Sequence, residues 1–196
     1  MSTPNFDIYS LKSTGEWDHD ITFQGCYQLL DVIKNLGPNV TGVEIGVRSG
    51  LNTYMMLDNC ENITKLWNVD PFAPFFDVFQ TVTAETQEWY YNIYKNNLSV
   101  WGNRTELLKM PSTEAALHFK DQSLDFIFID ADHSFQATYD DINAWEPKVK
   151  KGGMVAGHDF RLDGVPAALK KWCEENYRDF NSINTVSNES WYWIKE

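Results

Sequence analysis

GVEIGVRSGLNT, residues 42–53, is an apolar run that ends on a glutamate, passes two glycines four residues apart and reaches an Asn-Thr pair able to open a helix. A strand, a glycine turn and a helix in that order form the first unit of an α/β sheet. The glycines let backbone approach a ligand closely at the strand tip. The turn is not a phosphate loop, because Gly-Lys-Ser/Thr is missing, and it lacks the G-x-G-x-x-G dinucleotide fingerprint.

The same rhythm extends in both directions. Residues 23–36 carry apolar side chains at helical spacing and stop at Gly37-Pro38, while residues 1–20 read as an N-terminal arm. Residues 40–46 predict a first strand and 52–60 the helix after it; 65–70 (KLWNVD) predict a second strand closed by Pro71. Four phenylalanines and two prolines in 71–83 suit neither helix nor strand, so this stretch reads as a loop or lid. It opens an acceptor-side insertion, 71–101, whose second part, 84–101, is a helix with an aromatic stripe. A third strand is expected at 104–110 and a short helix at 112–119, where Ser112 and Ala115 flank a capping pattern. Residues 124–131 (LDFIFIDA) form the apolar run of a strand buried on both faces. A helix from 135 to 149, a glycine break at Gly152-Gly153, a fifth strand at 153–158 and a helix through Tyr177 follow. Residues 180–187 and 189–195 close the chain as a hairpin around Asn188. The expected fold is α/β: a Rossmann-like, doubly wound, mostly parallel seven-stranded sheet with a C-terminal antiparallel hairpin.

Composition bounds the function. At 196 residues and 43% hydrophobic, the chain suits one domain, 1–196, with one core. Sixteen basic against 28 acidic residues give a net charge of −12, which repels phosphate backbones and excludes a general nucleic-acid partner. Cys26, Cys60 and Cys173 are odd in number and lack metal-ligand spacing, so reduced thiols in a cytoplasmic protein are expected. No export signal or membrane-spanning run is visible, and no membrane partner is expected. Eight tryptophans and twelve phenylalanines exceed what this core needs, leaving room for a homodimer contact.

Ligands of doubly wound sheets bind beyond the carboxyl ends of the strands. Glu44, Asp70, Asp130, Asp132 and Asp159 all fall at such ends, and so many carboxylates on one edge call for a cation between them. Asp70 is placed to accept from two ribose hydroxyls, and Glu44 to favour a sulfonium or ammonium. A nucleoside without a pyrophosphate, S-adenosylmethionine, fits that pair. By contrast, Asp140 and Asp141 read as a solvated helix face.

The stretches VEIGVRSGLNT, NVDPF, DFIFIDADHSFQATYDDINAWEPKVKKGGMVAGHDF and GVPAALKKW resemble the class I S-adenosylmethionine-dependent methyltransferases. Within that family they are similar to the small-molecule and sugar O-methyltransferases (methyltransferase domain family 24 type). The resemblance spans residues 40–175 and is most specific over 125–160. It implies that Glu44, Gly46, Ser49 and Gly50 surround the methionine part, Asp70 the ribose and Ser112 the adenine edge, with Asp130 close to the cofactor. It also implies a divalent metal, magnesium or manganese, on Asp130, His158 and Asp159. His158 stands where the sugar-modifying members carry a second acid, and an imidazole suits manganese, iron or zinc better than magnesium.

Methylating an alcohol requires an in-line approach of its oxygen and removal of its proton. A cation on Asp130 and Asp159 would orient the acceptor hydroxyls and acidify one of them. His133 is the first candidate base, since an imidazole titrates near neutrality, and Asp132 is the second or else orients the histidine. The lid and the arm, with Trp17 and His19, are expected to close over a small-molecule acceptor. The alternatives are metal-independent N- or O-methylation, or a non-catalytic S-adenosylmethionine-binding protein.

Overall fold

The computed structural model describes residues 26–76, 81–187 and 189–196. The arm at 1–20, with Trp17 and His19, and residues 77–80 of the lid lie outside the described residues. Strands β1 (Val40–Ile45), β2 (Ile63–Val69), β5 (Thr105–Leu108), β6 (Leu124–Ile129), β7 (Val149–Gly157), β8 (Asn184–Val186) and β9 (Ser190–Ile194) form one seven-stranded sheet in the order β5-β2-β1-β6-β7-β9-β8. β1, β2, β5, β6 and β7 pair in parallel, and β9 is antiparallel to both β7 and β8. The expected doubly wound sheet with its terminal hairpin is therefore present. Part of the lid forms a small separate pair, β3 (Phe75–Phe76) with β4 (Thr81–Val82).

Period-two alternation sends successive residues of each strand into two different cores. Val43, Ile45, Ile127, Ile129 and Val155 face α4 (Ser112–Ala115), α5 (Phe135–Trp145) and α6 (Gly164–Glu175), where Trp145, Leu169 and Trp172 cover them. Phe126, Phe128, Met154 and Ala156 face α1 (Leu30–Lys34) and α2 (Leu51–Asn59), against Ile33, Met55 and Met56. Glu44 belongs by this alternation to the second face, a charged side chain among apolar ones. A third cluster, Val47, Tyr54, Phe72, Tyr90, Tyr94 and Leu98, binds α3 (Ala84–Leu98) to the turn after β1.

Two boundaries differ from expectation. α5 stops at Trp145 because Pro147 follows, and a proline can neither donate its amide nor clear the carbonyl four residues back. β7 then starts at Val149 and carries Gly152-Gly153 within it, where the register against β6 slips between Leu124 and Phe126. The glycines mark a bulge inside a strand, with Gly152 at φ +78°, rather than a helix stop. Among the described residues, no helix is long and apolar enough to cross a membrane.

Candidate active site at the carboxyl edge

The strand order reverses between β1 and β6, and the glycine turn after β1 sits at that point. Gly46 has φ +81°, and a Cβ there would lie 2.2 Å from the carbonyl oxygen of Asp130, so only glycine lets the two strand ends meet. Asp70 shapes the rest of the turn. Its Oδ2 accepts from the amides of Val47 (3.1 Å) and Arg48 (3.0 Å), and its Oδ1 from the amide of Phe72 (2.7 Å). Burial raises the Asp70 carboxyl, and these three amides oppose the rise. Oδ1 keeps a lone pair beyond its one bond, so a ribose hydroxyl can still be accepted there. Ser49 is buried, its carbonyl accepting from Asn97 Nδ2 at 3.0 Å, and Gly50 at φ +78° caps α2.

Asn52 and Thr53, in the first turn of α2, tie down acids instead of capping the helix. Asn52 Nδ2 donates to Asp130 Oδ2 at 2.8 Å, and Thr53 Oγ1 donates to Glu44 Oε2. Glu44 is wholly buried, and its second oxygen, Oε1, has no hydrogen-bond partner. Burial raises its carboxyl well above the ordinary range; the Thr53 bond and the nearby Asn52 amide oppose that, while the charges of Asp130 and Asp70 add to it. A buried carboxylate oxygen without a donor is costly unless a ligand supplies one.

Across the switch point, the ends of β6 and β7 bring together Asp130, His133, His158 and Asp159. His133 Nε2 lies 2.9 Å from Asp159 Oδ2. His158 Nδ1 lies 3.2 Å from the same oxygen and 3.8 Å from Asp130 Oδ1. Asp159 adopts φ +58°, a left-handed conformation that disfavours a side chain, and its carboxylate lies between the two imidazoles. Burial by itself would lower His158, but the bond to Asp159 and the charges of Asp130, Asp159 and Glu189 prevail and raise it to about 9. For Asp159 burial acts upward, yet the hydrogen bonds from His133 and His158 hold the carboxyl below its ordinary range. Asp130 is raised, first by burial and then by the Asp159 charge, against the two histidines. A cavity of about 10 Å³, the room of one water or ion, is lined by Asp130, His133 and His158 among others.

Ligand atoms of Asp130, His133 and Asp159 all lie within 4.8 Å of one another. Two carboxylates and an imidazole fit a divalent cation, and the nitrogen donor tilts the set toward manganese, iron or zinc. This trio contains His133 where the sequence reading has His158, which stands beside it. Asp132 and Ser112 make contacts of their own. Asp132 is exposed and its Oδ1 accepts from the Ser134 amide at 2.8 Å, while Asp159 places Oδ2 2.9 Å from His133 Nε2. Ser112 caps nothing; its hydroxyl accepts from Trp145 Nε1 at 2.8 Å and bonds the Asp141 carboxylate. Asp141 is buried, 5% exposed, in contrast to the solvated face expected of it, while Asp140 is exposed. Thr53, Asn68 and Tyr94, which meet Glu44 through hydrogen bonds, escape a sequence reading because mid-element polar residues carry no signal of where they point.

A family model described as "Methyltransferase domain" matches residues 43–160, from β1 to just past Asp159. A curated relative, the uncharacterized protein R132 of Acanthamoeba polyphaga mimivirus, is 26% identical over 146 residues, 71% of this chain. The chain spans 61% of that relative's length. Among solved structures, an O-methyltransferase from Bacillus cereus in complex with SAH superposes with a TM-score of 0.65 at 16% identity, covering 100% of this chain and 93% of that one. A structure described as "a putative caffeoyl-CoA O-methyltransferase from Staphylococcus aureus" gives 0.64 at 14% identity, over 99% and 93% of the two chains. The O-methyltransferase NovP gives 0.63 at 16% identity over 86% and 80%.

Proposed function

The chain belongs to the class I S-adenosylmethionine-dependent methyltransferases whose domain model it matches, and from that premise we propose that it methylates a hydroxyl of a small-molecule acceptor. The acceptor would lie over the ends of β6 and β7, beside a divalent cation held by Asp130, His133 and Asp159. The observation that carries this reading is the convergence of those three side chains, within 4.8 Å, next to the glycine turn. The folds of the Bacillus cereus O-methyltransferase and of the O-methyltransferase NovP support it as likenesses of architecture.

In the reaction, the acceptor oxygen forms a bond to the methyl carbon as the carbon–sulfur bond breaks, the sulfur keeps the electron pair, and the hydroxyl proton passes to water. When bound, the cofactor supplies the electrophilic methyl group and the cation supplies charge that acidifies the hydroxyl. The residues of the chain do the rest. Asp70 holds the turn against which the cofactor lies, and its remaining lone pair accepts from the ribose. Glu44 Oε1 offers an acceptor to the ammonium of the methionine part. Asp130, braced by Asn52, and Asp159, braced by His158, fix the acceptor side.

His133 has two incompatible uses, because a nitrogen that gives its lone pair to a cation cannot remove a proton with it. The 2.9 Å pair with Asp159 favours a second reading, in which transfer needs no metal and His133, oriented by Asp159, is the base.

Calorimetric titration of chelator-stripped protein with S-adenosylhomocysteine, with and without manganese or magnesium, tests both. The proposal requires nucleoside binding that Asp130→Ala leaves intact and manganese binding that Asp130→Ala abolishes. It further requires that transfer to vicinal diols depend on the metal; full activity in chelator selects the His133 base. Absence of S-adenosylhomocysteine binding under every condition sinks the function itself.

A further inference from the structure

Four buried side chains from four different elements form one directed hydrogen-bond chain that ends on Glu44. Tyr94 of α3 donates its hydroxyl to Asn68 Oδ1 at 2.9 Å, and Asn68 of β2 donates Nδ2 to Thr53 Oγ1 at 2.6 Å. Thr53 of α2 then donates its hydroxyl to Glu44 Oε2. Thr53 and Asn68 are fully buried, and Tyr94 is 5% exposed. Asn68 and Thr53 each accept from one neighbour and donate to the next, so every proton points toward the carboxylate and each bond polarises the next.

The far end of the chain makes its purpose specific. Glu44 Oε1 has no partner, and among the described residues Glu44 forms no ion pair, while Asp70 and Asp130 nearby add like charge. A core that only needed a filled space would carry an apolar residue here, since the surrounding face is Phe126, Phe128 and Met56. Instead, the relay ends in a single hydrogen bond, from Thr53, on one oxygen of a buried carboxylate, and the other oxygen, on the side of the Asn52 amide, has no partner within hydrogen-bond geometry.

Resting on the cofactor reading above, we propose that Tyr94, Asn68 and Thr53 are positioning residues that aim Glu44 Oε1 at the cofactor's ammonium group. Recognition of the amino-acid end is thereby tied to α3, the helix of the acceptor-side insertion. Tyr94 also packs against Phe72, ring centres 5.7 Å apart, and so links the relay to the start of the lid segment.

Two nucleosides separate this role from a general effect on the fold. S-adenosylhomocysteine carries the ammonium, whereas 5′-methylthioadenosine shares the adenine, ribose and sulfur but lacks the amino-acid end. In Thr53→Val, S-adenosylhomocysteine should bind about tenfold more weakly or worse, the scale of one lost bond to a charged group. Methylthioadenosine should bind Thr53→Val as it binds the unaltered protein, and Thr53→Ser should restore S-adenosylhomocysteine affinity. Tyr94→Phe, which keeps the ring packing, should show a smaller loss of the same selectivity and decides the matter if Thr53→Val does not fold. Equal weakening of both nucleosides, or of neither, overturns the relay. Failure of the unaltered protein to bind S-adenosylhomocysteine instead overturns the cofactor reading on which it rests.

Discussion

His133 Nε2 and Asp159 Oδ2 meet at 2.9 Å, a pairing between the loop after β6 and the loop after β7. The same oxygen accepts His158 Nδ1 at 3.2 Å, so one carboxylate organises both imidazoles. Asp159→Asn keeps the shape and removes the charge. In chelator-stripped protein, the imidazole of His158 should then titrate at least about one unit below its present value of about 9, since the Asp159 bond and charge are what hold it up. Proton NMR titration reads this directly, and an unchanged His158 would show that Asp130 and Glu189 suffice. Methyl transfer should fall by about 100-fold or more.

Asp70 spends its carboxylate on three backbone amides, so in the proposed site it would act on the cofactor mainly through the shape of the glycine turn. An asparagine would turn an N–H toward one of those amides. Asp70→Asn is expected to lose about 1–3 kcal/mol of stability and at least about tenfold in S-adenosylhomocysteine affinity. Denaturant unfolding together with calorimetry measures both. Loss of affinity with unchanged stability would mean that the ribose contact, not the turn, dominates.

Gly46→Ala is the sharper backbone test. Its Cβ would stand 2.2 Å from the Asp130 carbonyl oxygen at a φ of +81°, where nothing flexible can yield. A stability loss of about 3 kcal/mol or more is expected, visible as a large drop in melting temperature. A variant that melts like the unaltered chain would disprove the close approach of β1 and β6.

Asp141 gives a pH signature. Burial raises its carboxyl from 3.8 to about 6, against the opposing bond from Ser112. Because the folded value is above the unfolded one, its stabilising contribution is complete below pH 3.8 and is lost as pH rises through 6. That loss amounts to about 3 kcal/mol for a shift of this size. Asp141→Asn stays neutral and still accepts from Ser112. Its stability relative to the unaltered protein should increase between pH 4 and pH 7 and level off above; a pH-independent difference would show that Asp141 ionises freely.

The sheet was legible because its pattern is carried by long apolar runs: LDFIFIDA could be little other than a buried strand, and β6 lies where it falls. Strand-end acids were legible for the same reason, since Glu44, Asp130 and Asp159 are fixed by the ends of such runs. What failed was direction. Asp141 stands next to Asp140 in a polar stretch, yet a 100° step along α5 turns one inward and leaves the other in water. Asn52 and Thr53 look like a helix start but serve acids on two other strands. Asp159 meets both His133 and His158 from a left-handed backbone conformation, which no local sequence rule announces.

The hairpin at the end of the chain has a consequence for how the site comes into being. Trp191 of β9 donates its indole N–H to the carbonyl of His158 at 3.0 Å, 33 residues earlier, and the Phe160 amide donates to the Glu189 carbonyl at 2.9 Å. The loop bearing His158 and Asp159 is therefore pinned by residues synthesised after it. During translation, β1, β2 and the glycine turn can emerge and pair while that loop still lacks its anchor. The carbonyl of His158 and the amide of Phe160 gain these partners only once the hairpin has left the exit tunnel.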